Sequence, residues 1–69
     1  MNIDEMRIAV ISENEFRFTL NDKDYLLYGW DQCDGYVLSL ECGDVPVWQS
    51  APMSKNDCID EFLSCFSDV

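Results

Sequence analysis

The sequence predicts an α+β fold: an antiparallel β-meander of three to four strands packed on a C-terminal amphipathic helix, with room for a short N-terminal helix. Two observations carry this. Phe16–Leu20, Tyr25–Trp30 and Gly35–Leu40 are aromatic and aliphatic runs, separated by Asn-Asp-Lys-Asp and Asp-Gln-Cys-Asp. Short β-rich runs bounded by Asn, Asp and Gly read as antiparallel hairpins. Near the C-terminus Ile59, Phe62, Leu63 and Phe66 recur at three- and four-residue intervals, the period of a helix with one apolar stripe. With 69 residues, of which 48% are apolar and 13% aromatic, the chain is one folding domain (1–69), close to the size at which a single core is marginal.

Residues 2–12 carry two patterns. Ile3, Met6 and Val10 have helical spacing, and Asn2 with Asp4 and Glu5 suits a helix start. Met6, Ile8 and Val10 also alternate as in a strand, and several of these residues are β-branched. A short helix is the favoured reading. Ser12–Glu15 then turns the chain into the meander.

Register follows from the hydrophobic pattern. A four-residue loop at 21–24 sets Leu20 opposite Tyr25, so Phe16, Phe18, Leu20, Tyr25 and Leu27 share one face. A loop at 31–34 sets Trp30 opposite Gly35 and adds Tyr36, Leu38 and Leu40 to that face. A slip by one residue would bury Glu41 instead, and an unpaired buried carboxylate costs more than any turn preference. The opposite face carries Arg17, Thr19, Leu26, Tyr28, Trp30, Val37 and Ser39. Gly29 inside the second strand signals a bulge or a close backbone approach.

Cys42-Gly43-Asp44 is a further turn, and Val45–Gln49 reads as a fourth strand, placed at an edge because Pro46 has no N–H for a ladder. Ser54 followed by Asp57 starts the last helix as an N-cap, with Asn56 as a rival. The stripe of that helix, which runs to about Phe66, covers the apolar face of the meander, so Phe18, Leu38 and Phe62 are expected in one core.

Fourteen acidic residues against Arg7, Arg17, Lys23 and Lys55 give a formal charge of −10. That repels phosphate backbones and anionic membranes alike, which excludes direct nucleic-acid and membrane binding. The N-terminal residues lack the basic start and long apolar run of a signal peptide, so a cytoplasmic location is expected. There the four cysteines are expected to be reduced thiols. Their spacing fits no zinc site, histidine is absent, and Cys58 and Cys65 look like small buried apolar groups. The Asp22-Lys23-Asp24 run lacks the glycine and glutamate of a calcium loop. Without a histidine, an activated nucleophile or a Gly-rich phosphate loop, the reading is a non-enzyme with no cofactor or metal.

The acids themselves have a pattern. Alternate turns of a meander fall at one end, which gathers Glu13, Glu15, Asp31, Asp34 and Asp57 there, while Asp60 and Glu61 lie one helical turn beyond Asp57. Side chains at such helical intervals are roughly 5–6 Å apart, near the charge spacing of a nucleic-acid strand (roughly 3.4 Å of rise per phosphate, wider along the backbone). Lysines do not interleave them; Lys55 is the only base after residue 23. In size, net charge and this Asp/Glu set the chain resembles small acidic inhibitors that imitate DNA, such as phage anti-CRISPR and anti-restriction proteins. The resemblance implies a non-catalytic inhibitor whose partner is a basic nucleic-acid-binding protein or complex of the host. The alternative is an immunity- or adaptor-type module, self-associating or not, in which Tyr28 and Trp30 anchor the partner and charge only steers the encounter.

Overall fold

The structure, a computed structural model, describes residues 2–66. Helix α1 (Ile3–Glu13) is followed by strands β1 (Glu15–Leu20), β2 (Lys23–Gln32), β3 (Gly35–Cys42) and β4 (Val45–Gln49), then by helix α2 (Lys55–Cys65). The four strands form one antiparallel sheet in the order β1-β2-β3-β4. This is an α+β fold, as the sequence predicts. The helical pattern of residues 2–12 wins over the alternating one because it has a cap: the Asn2 side chain accepts the Glu5 N–H at 3.1 Å. Met6 and Val10 are then buried. At the C-terminal end of α1 the predicted turn over 12–15 shrinks to Asn14, which adopts a left-handed conformation (φ 61°) and passes the chain directly into β1.

The hairpins are tighter than the sequence suggests. The first turn is Asn21-Asp22, both at positive φ (52° and 65°), with Leu20 opposite Lys23. Positive φ at both central residues is the twist-matched two-residue hairpin, and Asn and Asp tolerate it. The second turn is Cys33-Asp34, with Gln32 opposite Gly35, so Asp31 lies in β2 rather than in a loop. Both registers thus differ by two residues from the expected ones, Leu20 against Tyr25 and Trp30 against Gly35. A shift of two preserves which face each side chain occupies, so the predicted faces stand. The third turn, Gly43-Asp44, has Gly43 at φ 61°. The one bulge among the described strands lies between Leu40 and Glu41, against edge strand β4 with its Pro46. It does not lie at Gly29.

Both helices cover the same face. Met6 and Val10 of α1, and Cys58, Ile59 and Phe62 of α2, join Leu27, Tyr36, Leu38 and Leu40 in one buried cluster. Ser54 caps α2 by accepting the Asp57 N–H at 3.1 Å. The rival cap, Asn56, instead accepts a hydrogen bond from Arg7 at 3.4 Å. Trp48 closes the core over Phe62 and Phe66, with ring centroids 5.7 and 6.0 Å away. Two expectations need correction. Phe18 is only partly buried: it flanks the core at the β1 edge, stacked on Tyr25 at 5.2 Å. Cys65 is exposed although it lies within about 20° of Cys58 around the helix axis: it is the last residue of α2, beyond Phe62, the last fully buried residue of that helix.

Candidate functional site

Three structural devices converge at the end of the molecule where β2 turns into β3. There α1 finishes, because Asn14 O accepts the Gly29 N–H at 2.9 Å. There α2 begins, because Met53 exchanges backbone hydrogen bonds with Tyr36 at 2.7 and 3.0 Å just before the Ser54 cap. The helices are clasped antiparallel: Lys55 Nζ donates to Ile11 O at 3.2 Å, and Arg7 bonds Asp60 at 3.1 Å.

Tyr36 sits at the centre of this end. Its hydroxyl donates to Asn14 Oδ1 at 2.8 Å, which fixes the left-handed cap of α1. Lys55 lies 5.1 Å from its ring centroid. Burial, first, and then the nearby Asp31 carboxylate and Cys58 raise its pKa above the ordinary 10.0. Gly29 leaves the space that the ring fills, since a Cβ there would fall on the Tyr36 phenol. Gly29 therefore marks a close approach by a side chain, neither a bulge nor a backbone. Behind Tyr36, Cys58 is buried as expected but is hydrogen-bonded as well: Sγ donates to Tyr36 O at 3.1 Å and accepts from Ser50 Oγ at 3.3 Å. Ser50 Oγ in turn accepts the Leu38 N–H at 3.0 Å, completing the β3 ladder where β4 has ended. All four cysteines are free thiols.

Around this node stand the acids singled out from the sequence. Glu13 ends α1, Glu15 opens β1, Asp31 lies near the end of β2, Asp34 in the β2–β3 turn, and Asp57 in the first turn of α2; all are exposed. Asp60 and Glu61 lie farther along α2, also exposed. They are not equivalent. Asp60 is ion-paired to Arg7, and Glu15 to Arg17 at 3.2 Å. Among the described residues no ion pair engages Glu13, Asp31, Asp34, Asp57 or Glu61.

Among the described residues, no helix covers the opposite face of the sheet. Tyr28 and Trp30 stack there with centroids 5.6 Å apart and planes at 30°. Cross-strand pairing places Glu15 against Tyr28 and Val37 against Trp30, and the Tyr28 hydroxyl donates to Glu41 at 2.9 Å. Val37 and Ser39 are nearly inaccessible (1% and 4%), although no further element of the described residues covers them. Hollows lined by Arg17, Thr19, Asp24, Tyr25 and Glu41 lie toward the other end of the sheet. Sequence reasoning missed the Tyr36 node; the signal for it was Gly29 with an aromatic residue near it across the hairpin. It also missed the intramolecular partners of Glu15 and Asp60, the first of which an i, i+2 pair on one strand face would have suggested.

No family model, curated protein or solved structure matches the chain. Among the described residues no helix is long and apolar enough to cross a membrane, and no group of three or more His, Cys, Asp or Glu side chains is placed to hold a metal ion.

Proposed function

We propose that the protein is a non-catalytic inhibitor that occupies the basic nucleic-acid-binding surface of another protein or complex in the cytoplasm, as a DNA mimic of the anti-CRISPR type. The observation that supports this best is the set of exposed carboxylates at Glu13, Asp31, Asp34, Asp57 and Glu61, free of ion pairs with the described basic side chains. Like charges held together cost folding energy, and opposing lysines and arginines of a partner would relieve that cost. The elements that meet at this end (α1, the β2–β3 hairpin and α2, with Glu61 farther along α2) hold the carboxylates on regular secondary structure and a tight turn, which reduces the ordering cost of binding.

The test is binding to the partner captured from the native host, with duplex DNA as competitor, at two salt concentrations. DNA is expected to displace the protein. Neutralising all five acids to Asn or Gln is expected to weaken binding by roughly 2 kcal/mol, near thirtyfold, from increments of roughly 0–1 kcal/mol each. The loss should shrink as salt rises. A complex indifferent to DNA, salt and the five substitutions would overturn the reading.

A further inference from the structure

We propose that the helix-free face of the sheet is a docking surface for an arginine-bearing basic polypeptide segment, one guanidinium lying over the Tyr28–Trp30 pair between Glu15 and Glu41. This shares with the mimic reading only the sign of the partner's charge; the surface and the anchoring chemistry are different.

Three features of the face converge on that occupant. The stacked rings, 5.6 Å apart, form a partly exposed aromatic platform, and indole is the best ring for a cation. Carboxylates flank it, Glu15 opposite Tyr28 in register and Glu41 hydrogen-bonded to the Tyr28 hydroxyl at 2.9 Å. A planar guanidinium can stack on a ring while its edge bonds a carboxylate, which a lysine ammonium cannot do equally well. Arg17 already bonds Glu15 on this face, yet both side chains are well exposed (72% and 51%), so a second guanidinium can compete for that carboxylate.

The other occupants are disfavoured by charge. A second copy would bring another −10 against the first, and single-stranded nucleic acid, though suited to aromatic platforms, would bring phosphates. The platform is also firm. Val37, opposite Trp30, and Ser39, opposite Tyr28, are buried beside the rings, which limits the rotamers the rings can adopt.

The experiment uses the isotope-labelled full chain and an alternating arginine–glycine hexapeptide, with a lysine–glycine peptide and an oligothymidine as comparisons. The Trp30 indole N–H signal, assigned by its loss in Trp30→Phe, reports on the face. At 0.3 M salt the arginine peptide is expected to shift that signal and to bind more tightly than the lysine peptide. Trp30→Leu, which keeps apolar cover over Val37, should weaken binding five- to thirtyfold, and Trp30→Phe should restore part of it. The five-acid variant should retain this Trp30 dependence even where its affinity falls at low salt, which separates failure of this proposal from failure of the mimic reading. Shifts confined to α2 and the turns, or equal affinity in Trp30→Leu, would overturn the proposal. So would tighter binding of oligothymidine, or concentration-dependent broadening of the Trp30 signal without peptide, which would mark a second copy as the occupant.

Discussion

Replacing Gly29 with alanine puts one methyl group where the Tyr36 ring already lies. The ring cannot simply step aside, because its hydroxyl is tied to Asn14 at 2.8 Å, Lys55 sits 5.1 Å from its centroid, and its own backbone is paired to Met53. Overpacking of this kind costs about 1–3 kcal/mol, and loss of the Tyr36–Asn14 hydrogen bond adds about 1 kcal/mol. Removing a glycine from a strand interior returns about 0.5–1 kcal/mol. The expected net loss is about 1–3 kcal/mol, against a total of roughly 3–10 kcal/mol for a chain this short. Urea unfolding followed by tryptophan fluorescence measures it, and an unchanged m-value shows that the unfolding reaction is the same. The cause is isolated by a double-mutant cycle. In a Tyr36→Leu background, where no ring reaches position 29, Gly29→Ala should be neutral or mildly stabilising, a coupling of roughly 1–3 kcal/mol. If Gly29→Ala is as stable as the parent, or costs as much in the Tyr36→Leu background as it does with the tyrosine in place, then the ring does not depend on the missing side chain.

Phe62→Ala, at the fully buried centre of the cluster, should cost about 3–5 kcal/mol in the same assay, whereas Phe18→Ala at the half-open sheet edge should cost roughly 1–2 kcal/mol; equal losses would contradict the placement of the core. Tyr36 gives an alkaline signature. Burial and Asp31 raise its pKa above 10.0 in the folded state, so the fold holds this proton more tightly than the unfolded chain does. Its contribution is therefore complete below about pH 10 and is lost as pH rises from there through the folded-state value. Thermal melts should show this extra loss in the parent and not in Tyr36→Phe, and identical alkaline slopes would refute it.

The sheet was legible because the side-chain period in a strand is two. Mistaking the two-residue turns for four-residue loops moved each register by two and left every face intact. Had the error in the second hairpin been a single residue, Glu41 would fall in the core. The turn lengths themselves were hidden because Asn, Asp and Lys are common both in long loops and in tight turns, and only their φ values tell the two apart. Helix α1 was half legible: its cap and the Met6–Val10 spacing are in the sequence, yet Ile8 points to solvent at 66% exposure and blurs the period. Phe18 was overrated because period two assigns a face but not a distance from the sheet edge. Only β2 and β3 lie centrally in the sheet, and the fully buried members of the apolar row, Leu27, Leu38 and Leu40, are on those strands.

Charge was legible as a sum and not as a distribution. Arg7 and Arg17 each meet one of the singled-out acids, one across 53 residues and one across two, and only the nearer pairing lies within reach of local reasoning. What the fold adds is adjacency. Strand β1 stops opposite Tyr28, while β2 runs on through Trp30, Asp31 and Gln32, paired only with β3. In that overhang successive side chains point to opposite faces, so Trp30 belongs to the aromatic face and Asp31 to the end occupied by Tyr36 and the carboxylates. The aromatic platform and the acidic end therefore meet along one exposed ribbon. A basic partner that reached over this ribbon would touch both, drawing encounter rate from the carboxylates and residence time from the rings.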